Sequence, residues 1–332
     1  MRSIYLPSSL KSILFSFRPF FSAPSFENFV ALVCGWILCP GLHTISRAIV
    51  AATGQRLAPK CHSAYYRFLS RAKWNPDDLG QALLGLLLPF LPETIEAAMD
   101  DTLSHRTGPQ LFGGGMHHDA AASTYGGSGG RRKSFSFGHN WVVFSVWVPR
   151  PWNREKGFAL PVIVRLYRSK KLCPKGEYRK RTELAREMLQ LLVSWLPGDR
   201  RLDLAGDGEY ACREVLRDLG SKVVFTGPML MGAALNAPTP PRTGRRGRPR
   251  RKGRRLRSPA QRAKKGTWET HTLRLYARDV EILLQTWTCL WYTVRGPEVV
   301  RVVLTRDPKG RLNDRAFFCT DPCRDAAQML MR

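Results

Sequence analysis

The sequence predicts an α/β protein: a mixed β-sheet with crossover helices, preceded by an all-helical segment and followed by antiparallel strands. Three observations predict it. Helical periodicity with clear start and stop residues fills residues 1–92. Short apolar strands then alternate with two amphipathic helices up to residue 228, and period-two apolar runs return after a strongly basic stretch. At 332 residues the chain holds about two domains and can bury a sizeable core.

In the helical segment, residues 28–39 read as an apolar helix ended by Pro40 and Gly41. Thr44 caps a second helix that stops at Gly54, a third covers 64–71 and a fourth 75–91. Two helices across a Pro-Gly turn have the connectivity of a helix-turn-helix that lays its second helix in a DNA groove. They equally have that of an ordinary helical hairpin, the commoner arrangement, and the scattered Arg47, Arg56, Lys60, Arg67, Arg71 and Lys73 do not decide between the two.

From residue 94 the elements come in a definite order. TIEAAMD (94–100), WVVFSVWV (141–148) and FALPVIVRLY (158–167) read as strands. A helix over 182–196 carries Leu184, Met188, Leu191, Leu192 and Trp195 on one face. RLDLAG (201–206) is a fourth strand, 209–219 a second helix and KVVFTG (222–227) a fifth strand. This β-β-β-α-β-α-β order is that of the RNase H-like fold, a mixed five-stranded sheet whose first and fourth strands are neighbours. Asp100 or Asp101 ends the first strand and Asp207 ends the fourth, so their carboxylates are expected side by side. Such a pair suits magnesium or manganese, because hard cations take oxygen ligands and two ions about 4 Å apart can activate an attacking oxygen and stabilise a leaving one. Gly206 and Gly208 are expected to bring the backbone close to the ligand. The plainer reading of Asp207 is an N-cap for the helix after it.

Charge narrows the partners. The 53 Lys and Arg outnumber the 26 Asp and Glu, a net charge of +27 that calls for a polyanion, with nucleic acid ahead of an anionic membrane surface. The longest apolar run, 29–39, falls short of the about 20 residues a membrane helix needs, so no transmembrane segment is expected. The N-terminus superficially mimics a signal peptide, but Lys11 and Arg18 interrupt its apolar stretch, and it reads as an arm packed on the body. Eight cysteines without paired C-x-x-C knuckles read as reduced thiols. Together these suggest a cytoplasmic protein, associated with the nucleoid when bound to DNA. His117 and His118 are adjacent in a strand and point oppositely, so they are not expected to share a zinc ion, nor are Cys319 and Cys323.

Two basic clusters are candidate DNA contacts. Residues 242–265 carry 13 Lys or Arg and no acid, a block that repels itself until a polyanion neutralises it. Within it, Arg245, Arg246, Arg248, Arg250, Arg251, Lys252, Arg254 and Arg255 are the candidates. The RGRPR core (246–250) resembles an AT-hook that slips into a narrow minor groove, and a generic phosphate-neutralising loop is the alternative. Arg168, Lys170 and Lys171 head a second cluster that also holds Arg165, Lys175, Arg179, Lys180 and Arg181, where a solvated basic face is the alternative.

The motifs DDT (100–102), FGHNWVVFSVWVPRPW (137–152), LAGDGEY (204–210), RGRPRRKG (246–253) and TRDPKGRLNDRAFFCTDP (305–322), with GWILCPG (35–41), resemble bacterial insertion-sequence transposases of the DDE superfamily over nearly the whole chain. The resemblance implies an RNase H-like catalytic domain, cut-and-paste DNA transposition and an Asp-Asp-Glu site for two magnesium or manganese ions. It also implies transposon-end and target DNA as partners, and a homodimer in a synaptic complex. The first Asp falls on Asp100, as the start of an Asp-x-Thr pattern, with Asp101 its competitor, and the second on Asp207. The Glu is expected on a helix after a β-rich insertion. Here the last Glu is Glu298, beside Gly296 and Pro297 in a strand-turn-strand, so the chain reads as ending before that Glu, and a non-catalytic DNA-binding remnant is the alternative. The expected organisation is a helical, DNA-binding N-terminal domain at 1–92, the catalytic core at 93–228 and a basic disordered linker at 229–266. A β-rich insertion at 267–324 and the start of the final helix at 325–332 complete it.

Overall fold

The computed structural model describes residues 6–54, 58–108, 110–126, 130–241, 250–275 and 278–331. They fall into two units, Met1–Pro89 and Phe90–Arg332.

The first unit is helical: α1 (Ser8–Phe15), α2 (Ala23–Leu38), α3 (Ile45–Gly54), α4 (His62–Arg71) and α5 (Pro76–Leu87). Helix α2 starts earlier than the apolar run suggests, because Ser22 and Pro24 form a helix start ahead of it. Asn75 caps α5 by accepting from the Asp77 amide, and the chain tightens into a 3-10 turn at Leu88–Phe90 where the sequence suggested continued helix. Phe21 anchors the core, with Phe29, Phe68 and Trp74 rings at 4.9, 5.9 and 6.2 Å. Gly35 lets α2 and α3 touch backbone to backbone: a Cβ there would lie 2.1 Å from the Ala48 carbonyl oxygen.

The second unit holds β1 (Thr94–His105), β2 (Gly115–Gly126), β3 (Gly130–Arg150), β4 (Asn153–Tyr167), α6 (Arg181–Trp195), β5 (Arg201–Gly206), α7 (Arg213–Leu216) and β6 (Val223–Met229). After these come α8 (Pro259–Lys265), β7 (Glu269–Leu275), β8 (Arg278–Leu290), β9 (Val299–Arg306), β10 (Arg315–Cys319) and α9 (Ala326–Leu330). One ten-stranded sheet runs β2-β3-β1-β5-β6-β10-β9-β8-β7, with β4 also on β3. The order β4-β3-β1-β5-β6 is the RNase H-like core, with β1–β5 and β5–β6 parallel and β1–β3 and β3–β4 antiparallel. Along β1, Ile95, Ala97 and Met99 are buried at alternate positions. Helix α6 buries Leu184, Ala185, Met188, Leu189 and Leu192 and packs beside β3, β4 and α7; each of the Leu and Met side chains contributes about 1.5–3 kcal/mol of burial. Among the described residues no helix is long and apolar enough to cross a membrane.

Three expectations from the sequence need correction. Strand β2 has no place in the expected order of elements, although His117 and His118 read as strand residues; GMHHDAAASTYG lacks the β-branched alternation that marks a strand, and pairing with β3 overrides that weak propensity. The helix expected over 209–219 shrinks to α7, because turns occupy 208–212 ahead of it. The strands after 267, expected as a β-rich insertion appended to the sheet domain, continue its sheet: β10 pairs with β6, so β7–β10 extend it. The span 229–266 is not an unfolded linker where it is described. Ala237 N–H donates to the Arg254 carbonyl (2.9 Å) and Leu256 N–H to the Leu235 carbonyl (3.0 Å), and Ser258 and Gln261 form a capping box on α8. Paired backbone and a capped helix hold the described part of this stretch, residues 250–265, against its own repulsion.

Candidate active site

The β1–β5 ladder sets the site. Its last pair is Met99 with Gly206, so Asp100 and Asp207 follow directly at the ends of two adjacent parallel strands, near enough for the Asp207 charge to act on the Asp100 carboxyl. Partial burial raises the pKa of the Asp100 carboxyl, and the nearby charges of Asp101 and Asp207 raise it further, against an opposing hydrogen bond from the Asp101 amide at 2.8 Å. Asp207 opens a tight turn in which Gly208 N–H donates to Oδ1 (2.6 Å) and Tyr210 N–H to the Asp207 carbonyl (3.0 Å). It is not a helix cap, because α7 begins only after Cys212. A Cβ at the neighbouring Gly206 would lie 2.7 Å from the Phe225 ring, so packing between β5 and β6 also calls for glycine there.

Asp101 points to the other face and is already occupied. Arg181 Nη1 donates to its Oδ2 at 3.0 Å and Asn140 Nδ2 to the same oxygen at 2.9 Å. Arg181 Nε donates to Glu209 Oε1 at 2.8 Å, and the guanidinium lies 5.4 Å from the Tyr167 ring centroid. Burial raises the Glu209 carboxyl, opposed by Arg181 and reinforced by Asp101 and Asp207. The sequence reading missed Asn140, Glu209 and Tyr210 and placed Arg181 only in a basic face. The available signal was Glu209, two residues after Asp207 in LAGDGEY.

The sequence profile of the DDE superfamily endonucleases matches residues 17–293. The chain belongs to this superfamily. No curated protein matches it. DDE endonucleases act on DNA and use divalent metal ions. Asp100 and Asp207 fit such an ion as hard oxygen donors, and neither is in an ion pair among the described residues. Among those residues no group of three or more His, Cys, Asp or Glu side chains is arranged to hold a metal ion.

Glu298 is remote from the pair. Ala316 pairs with both Met229 and Leu304, so the Arg306 end of β9 shares the sheet edge of Asp207, whereas Glu298 precedes the opposite end. An open cavity of about 460 Å³ on the Asp207 edge is lined by Gly206, Asp207, Pro228, Met229, Met231, Asp314, Arg315, Ala316 and Phe317. Asp314 there is held by Arg306, at 2.9 Å from Nε and 2.8 Å from Nη2.

The candidate DNA-contacting residues are dispersed. Arg245, Arg246 and Arg248, with most of RGRPR, lie outside the described residues. Arg250, Arg251, Lys252, Arg254 and Arg255 are exposed, with Lys252 5.4 Å from the Tyr292 ring centroid. Lys170 and Lys171 are exposed just after β4, while Arg168 sits over Phe112 and pairs with Glu177 at 3.3 Å. His117 is buried and His118 is exposed, 3.2 Å from Ser123 Oγ. Cys319 is buried and Cys323 exposed, both free thiols.

Proposed function

We propose that this endonuclease is a DNA transposase in which Asp100 and Asp207 hold a magnesium or manganese ion. The supporting observation is the Met99–Gly206 register, which makes these two aspartates neighbours at the strand ends. When bound, the ion supplies a Lewis acid that activates water toward a phosphodiester and then a freed 3′-hydroxyl toward a second one. The chain's own part is to hold two carboxylates on rigid strand ends, so that little reorganisation accompanies ion binding. Asp101, tied to Arg181 and Asn140, positions the strand end instead of binding the ion.

The DNA is expected to run over the exposed cations of 250–255 and Lys170–Lys171, whose phosphate contacts fix orientation without reading sequence. Two copies holding two transposon ends complete the reading, which follows from the family resemblance.

The test is nicking of duplex DNA carrying the element's own ends by the full chain with magnesium. The expected result is end binding by the wild type and by Asp207→Ala, with any magnesium-dependent nicking lost in the variant. Nicking that survives Asp207→Ala overturns the proposal, and end binding without nicking in the wild type assigns the chain to end occupancy.

A further inference from the structure

The feature that the proposed function leaves unused is Arg181. It occupies the first turn of α6, where the helix dipole disfavours a cation, and no acid of its own helix pairs with it among the described residues. Its partners come from elsewhere: Asp101 at the end of β1 (3.0 Å) and Glu209 in the turn after β5 (2.8 Å). These two acids flank Asp100 and Asp207 in sequence, so four carboxylates share one small region with one bridging guanidinium. Asp100, Asp207 and Glu209 are exposed and Asp101 is half-buried, with two buried side chains beside them. Asn140 is 2% exposed and Tyr210 is 0% exposed, and the Asn140 amide oxygen and the Tyr210 hydroxyl have no hydrogen-bond partner among the described residues. Over separations shorter than the screening length of about 8–10 Å, a single cation acts on neighbouring acids even where water reaches them.

We propose that Arg181 is the resident counter-cation of this site: by bridging Asp101 and Glu209 it offsets the acidic charge beside Asp100 and Asp207 and sets how strongly the pair takes a divalent cation. Arg181 is therefore a positioning residue. The inference rests on the reading that Asp100 and Asp207 hold the ion. A merely structural tie between α6 and the strand ends predicts lost stability alone. A counter-cation predicts in addition that removing the charge tightens metal binding.

The test is titration of the full chain with Mn²⁺, read by the electron paramagnetic resonance signal of free Mn²⁺. Arg181→Gln is expected to bind Mn²⁺ about tenfold more tightly than wild type, because one positive charge has left the vicinity of a divalent ion. Arg181→Lys keeps the charge and is expected to stay near wild type. Glu209→Gln, which leaves Arg181 under-compensated, is expected to bind several-fold more weakly, and Arg181→Gln/Glu209→Gln, with the net charge restored, to return to wild type. This pair of variants also keeps the test decisive if Arg181→Gln alone does not fold. Unchanged or weaker binding in Arg181→Gln overturns the inference, as does a double variant as weak as Glu209→Gln alone, which would make Glu209 a direct ligand. Absence of Mn²⁺ binding in the wild type overturns both this inference and the metal-holding reading; binding that responds to Asp100 and Asp207 but not to Arg181 overturns this inference only.

Discussion

Met99 and Gly206 are the last paired residues of the parallel β1–β5 ladder, and the carboxylates of Asp100 and Asp207 follow one step beyond them. This register separates Asp100 from Asp101, since successive side chains of a strand face opposite ways. It turns a choice that the DDT motif leaves open into a geometric one.

Gly35→Ala should unfold the helical unit early. The added methyl would lie 2.1 Å from the Ala48 carbonyl oxygen, a contact only backbone movement can relieve. Overpacking of this kind costs about 1–3 kcal/mol. A thermal melt of the variant is expected to show the loss, and a melt matching wild type would show that α2 and α3 can separate freely.

Arg324→Leu should destabilise the sheet unit. Asp203 is 1% exposed in the middle of β5 and pairs with Arg324, which precedes α9. Removing one member of a buried ion pair costs about 3–5 kcal/mol. Urea unfolding monitored by tryptophan fluorescence checks this; a midpoint equal to wild type contradicts it.

Asp119 gives the β1–β2–β3 region an acid sensitivity. The Ala122 amide, the Ser136 hydroxyl and His105 hold its carboxyl down to about 2. A depressed folded-state pKa contributes stability that is complete above the unfolded carboxylate value of about 4 and is lost as pH falls toward 2. Melting temperatures of wild type and Asp119→Asn should therefore differ most above pH 4 and converge near pH 2. A constant difference across that window would show that the hydrogen bonds do not favour the charged form.

Charge reversal of the basic stretch should flatten the salt dependence of DNA binding. Each phosphate contact contributes a slope of about −0.9 in log affinity against log salt. Replacing Arg250, Arg251, Lys252, Arg254 and Arg255 by Glu is expected to remove several units of slope. An unchanged slope would place the phosphate backbone elsewhere.

Much of this organisation is legible in the sequence because local signals and tertiary structure agree there. The strands of β1, β3, β4, β5 and β6 announce themselves by apolar runs between turn residues, and their order with α6 implies that β1 and β5 are neighbours. The extent of β2 beyond His117 and His118 is not legible, because its pairing with β3, not its composition, makes it a strand. The packing demand on Gly206 is hidden in the sequence, since nothing local reveals the Phe225 ring against it. The Arg181 bridge was equally hidden: 80 residues separate Arg181 from Asp101, and only the folded sheet brings β1, α6 and the turn after β5 together.

The central claim is that Asp100 and Asp207 share one cation. Calorimetric titration of Mn²⁺ into the full chain tests it most directly, comparing wild type with Asp100→Asn, Asp207→Asn and the double variant. Binding in the wild type that falls by at least about tenfold in each single variant, with no further loss in the double, is the predicted result, as removing either oxygen ligand breaks the same site. Losses that add fully in the double variant, or single variants that bind as the wild type does, would contradict it.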